Sequence, residues 1–200
     1  MIESLENNRQ RLFALDAKLR EEADRMLEQS GLGKIIMEEG FKPVGSYVMQ
    51  TMTWRDLDFE RCDDSPDWQE HWKLGLRLSQ NKWIWRLDCL DAYRDPRKRK
   101  DAGYYWGLRA VRPGDRQFWK LDLWTARYED FEREAPKRPL WERKLNEETR
   151  YDILVIKEIV CSLPEYGNSL LSAHIYEAVL ENGIHGVAEF RNWWKERYGK

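Results

Sequence analysis

The sequence predicts an α/β fold, in which a small mixed sheet is flanked by helices and is followed by a C-terminal helical bundle. Before residue 135, short apolar runs with period-two alternation are separated by segments with helical periodicity. After the proline-containing break Ala135-Pro136-Lys137-Arg138-Pro139, three segments in succession have apolar residues at helical spacing. We therefore expect an α/β core over residues 1–135 and a helical subdomain over residues 136–200.

The first element is predicted to be a helix, because apolar side chains recur in it at spacings of three, four and seven. These side chains are Leu5, Leu12, Leu15, Leu19, Ala23 and Met26. Gly31 and Gly33 are expected to end this helix, since glycine favours the left-handed conformation found after helix C-termini. Two strands are then expected, over residues 41–45 and 54–61.

A second helix is predicted after these strands. Ser65-Pro66 has the composition of an N-cap followed by proline at the first helical position. Trp68, Trp72 and Leu76 then lie at a spacing of four, which predicts an apolar stripe on this helix.

Three more strands and three helices complete the predicted chain. Residues 81–89 are ambiguous, but their tryptophans alternate as they do in strands, while residues 104–111 and 117–126 form a predicted hairpin. The sequence Arg112-Pro113-Gly114-Asp115 between these two runs is typical of a turn. The C-terminal helices are expected over 149–163, 168–181 and 187–198.

One stretch of the sequence carries a pattern with chemical meaning. The first strand ends in Gly45-Ser46, and nine residues later Asp56 and Asp58 lie two apart in the second strand. Side chains at i and i+2 of a strand point to the same side, so two repelling carboxylates would lie side by side. Carboxylates of this kind suit Mg²⁺ bound together with substrate phosphates, and a Gly-Ser turn can bind a phosphate anion. Residues 47–53 are expected to form a short helix whose N-terminus faces the same anion.

This arrangement resembles the nucleotidyltransferase superfamily of polymerase-β-like enzymes. Its signature is a hydrophobic residue, Gly, Gly or Ser, a short spacer, and then Asp-hydrophobic-Asp/Glu-hydrophobic, which Val44-Gly45-Ser46 and Asp56-Leu57-Asp58-Phe59 fit. The family carries a third carboxylate on a later strand, and Asp122 is the candidate. The competing interpretation is that these aspartates are solvated strand residues and that Gly45-Ser46 is an ordinary turn.

The resemblance implies a role for each of these residues. Asp56 and Asp58 would hold Mg²⁺ on the β- and γ-phosphates of a nucleoside triphosphate. Asp122 would share a second ion with them or would act as general base on an acceptor hydroxyl. Gly45 and Ser46 would hold the departing pyrophosphate. The catalytic residues and metal ligands are thus expected to be Asp56, Asp58 and Asp122.

The acceptor is predicted from the residues around the first aspartate. Arg55 directly before Asp56 looks nearer to the small-molecule antibiotic nucleotidyltransferases than to the minimal ones. Trp54 or Trp124 could stack on a ring. We therefore favour transfer of a nucleotide to a hydroxyl of a small molecule, with AMP as the preferred nucleotide. The alternatives are transfer to RNA or protein, and a non-catalytic nucleotide-binding or interaction module.

Composition narrows the class of protein. The 200 residues are 35% charged with a net charge of −2, which disfavours a dedicated nucleic-acid binder. The run Arg94 to Lys100 is the local exception, with five basic residues in seven. The three cysteines show neither metal-ligand spacing nor an even disulfide set. With no apolar run of membrane-spanning length and no signal peptide, we expect a cytoplasmic protein.

Overall fold

The structure is a computed structural model that describes residues 2–95, 102–131 and 137–199. Most of the basic run predicted at 94–100, and residues 135 and 136 of the predicted domain break, lie outside the described residues.

The chain divides into two compact units. The sheet unit comprises Leu19–Val48 and Trp54–Arg133. The helical unit comprises Met1–Lys18, Met49–Thr53 and Glu134–Lys200. The helical unit therefore includes N-terminal as well as C-terminal residues. The assignment of separate domains to 1–135 and 136–200 stays a prediction.

A mixed sheet forms the centre of the sheet unit. Its strands, as far as the structure describes them, are β1 (Lys42–Val44), β2 (Asp56–Cys62), β3 (Ile84–Asp91), β4 (Tyr104–Ala110) and β5 (Trp119–Ala126). They lie in the order β1-β2-β5-β4-β3. Strands β2 and β5 pair in parallel, and the other neighbours pair antiparallel. With its flanking helices and the helices that follow it, this sheet confirms the predicted fold class.

One face of the sheet is apolar because side chains alternate along the strands. Leu57 and Phe59 of β2 are buried, and so are Leu121 and Leu123 of β5. Each of these residues alternates with a polar residue, so the opposite face of β2 and β5 carries the charged side chains. The buried face contributes to the core of the unit, and the opposite face carries Asp56, Asp58 and Asp122.

Strands β4 and β5 form the predicted hairpin. The backbone N–H of Asp115 donates to the carbonyl of Arg112 at 2.9 Å, and Gly114 has a φ of 96°. Glycine adopts this left-handed conformation without a steric penalty. The turn predicted at Arg112 to Asp115 therefore connects β4 to the antiparallel strand β5.

Helix α1 (Ile2–Ser30) is followed by a short helix α2 (Leu32–Glu38). Gly31, with a φ of 74°, separates the two helices as the prediction expected of a terminating glycine. The prediction for Gly33 is wrong, because Gly33 lies inside α2 and does not end a helix.

Helix α3 (Trp68–Ser79) differs from its prediction in two ways. Its N-cap is Asp67, whose Oδ1 accepts the N–H groups of the second and third helical residues at 2.8 and 2.9 Å, and not Ser65-Pro66. The predicted stripe is also wrong, since Trp72 is 46% and Leu76 is 64% exposed. The buried face is instead one position out of phase, at His71, Leu74, Gly75 and Leu78.

The helical unit is built from short helices around one apolar core. They are α4 (Arg138–Lys144), α5 (Glu147–Val160), α6 (Ser172–Tyr176), the π-helical turn Glu177–Glu181 that continues α6, and α7 (Gly186–Tyr198). A capping box between Asn146 and Thr149 starts α5. The second predicted helix begins at 172 and not at 168, and α4 was not predicted. A short 3₁₀ helix (Tyr128–Phe131) belongs to the sheet unit.

Segment 49–53 is held in the helical unit by polar contacts to its backbone. Asp16, a fully buried residue of α1, accepts the N–H of Met52 at 2.8 Å. Arg150 of α5 donates to the carbonyl of Gln50 at 3.1 Å and to Asp16 at 3.3 Å. The buried carboxylate is therefore hydrogen-bonded and paired with a cation, as burial of a charge requires. None of the described helices combines the length and apolar character that a membrane crossing needs.

Candidate active site

Strand β2 places the first two aspartates of the motif. Asp56 and Asp58 both lie on the charged face of β2 and are half-buried. Leu57 and Phe59 point into the core at 1% exposure each, which anchors the strand and fixes the side to which the aspartates point. This placement is the one that the i, i+2 spacing predicts.

Strand β5 brings the third aspartate to the same place. In the parallel β2–β5 ladder, Asp122 is directly opposite Asp58. One carboxylate oxygen from each of Asp56, Asp58 and Asp122 lies within 4.8 Å of the others. We call these three residues the acidic triad. The structure thus joins residues that are separated by more than 60 positions in the sequence.

The Gly-Ser dipeptide lies beside the triad, at the end of β1. Val44 pairs with Asp58, and Gly45 follows in a left-handed conformation with a φ of 68°. A Cβ at Gly45 would lie 2.7 Å from Asp58 Oδ2, which is too close for any other residue. Glycine is therefore required here both by backbone conformation and by the approach of the carboxylate. Ser46 follows it and is buried at 9% exposure.

The helix predicted over 47–53 is not present. Residues 45–50 form successive turns, and Gln50 has a φ of 54°. The carbonyl of Gln50 and the N–H of Met52 are hydrogen-bonded by Arg150 and Asp16, so these backbone groups are not available for a helical turn. No helix N-terminus in this segment points at the candidate phosphate site, and that part of the prediction is wrong.

Lys120, which none of the sequence motifs indicated as a site residue, also contacts the triad. Its Nζ donates to Asp122 Oδ2 at 2.6 Å and to Asp56 Oδ1 at 3.0 Å. Burial disfavours its charge, but the carboxylates of Asp56 and Asp122 outweigh burial and raise the pKa of Lys120 above its ordinary value. Its position two residues before Asp122 on the same strand was a signal that could have revealed it.

Tyr105 holds the other oxygen of Asp122. Its hydroxyl donates to Asp122 Oδ1 at 2.9 Å, and its ring packs 4.9 Å from that of Trp124. Burial first, and then the charge of Asp122, raise the pKa of the Tyr105 phenol. The ring crosses Gly107, where a Cβ would lie 2.3 Å from the Tyr105 hydroxyl. Gly107 therefore allows the contact that orients Asp122.

The two tryptophans and the arginine that flank the aspartates are also described. Trp124 lies two residues after Asp122 on the same face of β5, and Trp54 is 40% exposed with Lys120 Nζ 5.6 Å from its ring. Arg55 forms no ion pair with the triad in the described part of the chain. Its guanidinium pairs with Glu22 of α1 at 2.6 Å.

The donor set of the triad fits a hard divalent cation. Three carboxylates from two adjacent strands offer oxygen ligands and three negative charges, of which the ammonium of Lys120 offsets one. Mg²⁺ prefers such oxygen ligands and commonly combines one or two carboxylates with phosphate oxygens. Asp56, Asp58 and Asp122 are the residues that could hold the ion.

One solved structure is similar in fold to this protein. It is a chain in the structure of the non-canonical poly(A) polymerase complex GLD-2–GLD-3, which matches with a TM-score of 0.55 and 14% sequence identity. The match covers 92% of this chain and 60% of that chain, so this protein spans about three-fifths of the length of its neighbour. No protein-family model and no curated protein sequence matches this chain.

At this level of identity the likeness concerns the fold. The mixed sheet and its flanking helices share the fold of that chain of the poly(A) polymerase complex. This agrees with the fold that the motif around Gly45 and Asp56 predicted. Fold alone does not define a reaction, so the chemistry has to be argued from the triad.

Proposed function

We propose that the protein is a Mg²⁺-dependent nucleotidyltransferase that moves a nucleoside monophosphate from a triphosphate to a hydroxyl group. The observation that carries this proposal is the acidic triad, whose carboxylate oxygens lie within 4.8 Å of one another on the charged face of a nucleotidyltransferase-type sheet. Three carboxylates this close repel one another, and a bound divalent cation removes that cost.

The three aspartates of the triad would be ligands of two metal ions. Asp56 and Asp58 would hold the ion that carries the β- and γ-phosphates, and Asp122 would share a second ion with them. Bound Mg²⁺ neutralises phosphate charge and lowers the pKa of an acceptor hydroxyl. Gly45 and Ser46, beside Asp58, would bind the departing pyrophosphate through the backbone and the hydroxyl group.

The proposed step is an in-line displacement. The acceptor oxygen forms a bond to the α-phosphorus, and the bond between that phosphorus and the pyrophosphate oxygen breaks. Pyrophosphate would leave with the electron pair, and the hydroxyl proton would be lost to Asp122 or to solvent. Because Lys120 occupies Asp122 Oδ2 at 2.6 Å, its ammonium has to release that oxygen before Asp122 takes either role.

AMP as the transferred nucleotide and a small molecule as the acceptor are the first choice. Arg55 next to Asp56 supports this choice by its likeness to small-molecule nucleotidyltransferases. Trp54 and Trp124 supply aromatic surface near the triad on which a base or a ring could stack.

A nucleic-acid hydroxyl is the second candidate, and one feature of the sheet favours it. Arg86 of β3, Arg109 of β4 and Lys120 of β5 are directly opposite one another in adjacent strands. They form a row on the face that carries the triad, in which Arg86 is paired with Asp88 at 2.8 Å, Lys120 is paired with Asp56 and Asp122, and Arg109 forms no ion pair among the described residues. A row of cations beside the reacting groups suits a polyanionic acceptor.

The test is incubation of the purified protein with each α-labelled triphosphate, Mg²⁺ and a panel of acceptors that includes small hydroxyl compounds and short oligonucleotides. We expect pyrophosphate release that requires both Mg²⁺ and an acceptor, and that is lost in Asp56→Asn and Asp122→Asn. The matched control is Asp64→Asn, which removes an exposed carboxylate outside the triad and should retain activity. Triphosphate binding without turnover of any acceptor would instead support the non-catalytic module.

A further inference from the structure

A cleft lined by arginines lies in the sheet unit, on the side of β5 away from the triad. It has a volume of about 390 Å³ and is bordered by α1, the segment before β2 and the β4–β5 turn. Four arginines and two carboxylates line it: Arg25, Arg55, Arg112 and Arg116, with Glu22 and Asp115. We call it the arginine cleft. Trp83 and Trp119, which are 7% and 6% exposed, form its apolar wall.

Two of these arginines have no carboxylate partner among the described residues. Arg55 pairs with Glu22, and Arg25 pairs with Glu21. Arg112 and Arg116, on either side of the turn, are exposed and form no ion pair within the part of the chain that the structure describes. Guanidinium groups that converge on one cleft without an internal partner are suited to binding phosphate, which they contact in bidentate fashion.

Residues that line the arginine cleft are sequence neighbours of residues in and beside the triad. Arg55 directly precedes Asp56, and Trp119 of the cleft wall alternates with Lys120 on β5. On the triad face, Arg109 lies opposite Lys120 and also has no ion pair among the described residues. Cations therefore extend around the same end of the sheet from the cleft to the triad, although the whole chain has a net charge of −2.

Exposed aromatic side chains accompany these cations. Trp85 is 58% and Phe118 is 43% exposed, and their rings contact each other edge to face at 5.9 Å. The guanidinium of Arg109 lies 5.9 Å from the ring of Phe118, and Lys120 Nζ lies 5.6 Å from the ring of Trp54. Cations that follow a phosphate backbone and exposed rings that stack on bases are the two parts of single-strand binding sites.

We propose that the arginine cleft binds the phosphodiester backbone of a single-stranded nucleic acid, whose terminal hydroxyl is the acceptor at the triad. This deepens the second candidate of the proposed function, in which the acceptor is a nucleic-acid hydroxyl, and rests on the proposed function for the transfer at the triad. The volume of about 390 Å³ is near the lower end for ligand clefts and accommodates a nucleotide of a single strand, but not a duplex.

The donor triphosphate is a poorer occupant for the arginine cleft. Its phosphates are expected beside Asp58 and Gly45, at the β1 edge of the triad face. The cleft lies on the other face, as Trp119 and Lys120 point to opposite sides of β5. A separate polyanion therefore fits the cleft better than the donor.

The test is direct binding, without donor nucleotide or Mg²⁺, of a fluorescent single strand of about 12 nucleotides. Fluorescence anisotropy is measured over a range of salt concentrations for the parent protein and for the double variant Arg112→Gln, Arg116→Gln. The charge-matched control is Lys34→Gln with Lys73→Gln, which removes two exposed cations on α2 and α3. Thermal unfolding verifies that all three proteins are equally folded.

Loss of two phosphate contacts should lower the slope of log affinity against log salt by about 1.4 for a single strand. At about 0.1 M salt that corresponds to a roughly 25-fold weaker affinity. The control should bind within about twofold of the parent. A duplex of the same length should bind the parent more weakly and should not distinguish the two variants.

Three results would overturn the proposal: no binding of the single strand, equal loss in the cleft variant and the control, or displacement of the strand by triphosphate alone at equal phosphate concentration. The last result would assign the cleft to the donor. Because this assay involves no turnover, inactivity of the protein on all acceptors would refute the proposed function and leave the binding result standing. Conversely, turnover of a strand with unchanged binding in the cleft variant would refute only the cleft.

Discussion

Replacement of Lys120 by Met should affect stability and metal binding in opposite directions. Lys120 is the cation that touches two of the three triad carboxylates, at 2.6 and 3.0 Å. Met keeps a similar length and removes the charge, so that the triad loses the ammonium group that contacts Asp56 and Asp122. The variant therefore separates the charge of Lys120 from its packing.

The size of the effect follows from the geometry. Two carboxylates 4.8 Å apart repel each other by about 3.5 kcal/mol at an effective dielectric constant of about 20. Removal of one partner from a buried ion pair costs about 3–5 kcal/mol. Because the Lys120 side chain retains 22% exposure, we expect the lower end, about 3 kcal/mol, in the metal-free protein. For a chain of this size that is a fall in Tm of about 6–12 °C.

Thermal unfolding in EDTA and in excess Mg²⁺ measures this effect. In Mg²⁺ the difference between variant and parent should narrow, because the divalent cation replaces the missing ammonium. Affinity for Mn²⁺, followed by its electron paramagnetic resonance signal in the absence of nucleotide, should increase, since no ammonium has to be displaced. Lys34→Met, which removes an 80% exposed lysine 3.8 Å from Glu38, should change neither quantity by more than about 0.5 kcal/mol.

A structural role for Lys120 that is unrelated to charge predicts a different result. In that case the variant would be destabilised equally in EDTA and in Mg²⁺, and its Mn²⁺ affinity would fall or stay unchanged. Either outcome would refute the view that Lys120 occupies the place of a cation in the metal-free triad.

Four further predictions concern other groups. Asp58→Asn should abolish Mg²⁺-dependent triphosphate binding, measured by calorimetry, without lowering Tm in EDTA, because it removes one charge from a repelling set; a variant that binds as well as the parent would exclude ligation by this residue. Tyr105→Phe should cost about 1.5–3 kcal/mol in urea unfolding, because Asp122 loses a donor to a charged group. Gly107→Ala should cost more than Tyr105→Phe, since its Cβ would lie 2.3 Å from the tyrosine hydroxyl and displace the ring, and a neutral effect would contradict this packing. Burial lowers the pKa of His71 from 6.5 to about 4, so that, as the pH falls, the unfolded chain binds the extra proton before the folded protein does. Up to about 3 kcal/mol of stability should therefore be lost as the pH falls through this interval. His71→Gln should flatten that part of the profile of stability against pH, and an unchanged profile would contradict the assignment to His71.

The sequence by itself predicted the strands and the side of β2 on which Asp56 and Asp58 lie, because strand periodicity is a local property. Leu57 and Phe59 alternate with Asp56 and Asp58, so burial of the first pair exposes the second on one face. The turn at 112–115 was equally readable, since glycine at a left-handed position is set by backbone sterics. These inferences need only the neighbours of each residue along the chain.

Local pattern failed where distant groups compete for the same backbone or surface. The helix predicted over 47–53 is absent because Asp16 and Arg150 bind the backbone of 50–52. On α3, spacing alone favoured Trp72 and Leu76, but the face that meets the sheet is one position out of phase, and it buries His71. The sequence carries both helical stripes, and only packing against β4 chooses between them.

Only the tertiary structure decided how the predicted aspartates are arranged and which other residues contact them. The parallel register of β2 and β5 sets Asp122 opposite Asp58, and the same ladder brings Lys120 to Asp56. The cluster of cations at one end of the sheet could not be predicted from the sequence, because charges are spread evenly along the chain. Arg25, Arg55, Arg112 and Arg116 line one cleft only when α1 and the β4–β5 hairpin pack together. Alternation in a sequence tells which side of a strand a residue occupies, but pairing register between distant strands tells which residues share that side, and it is the shared side that carries the chemistry.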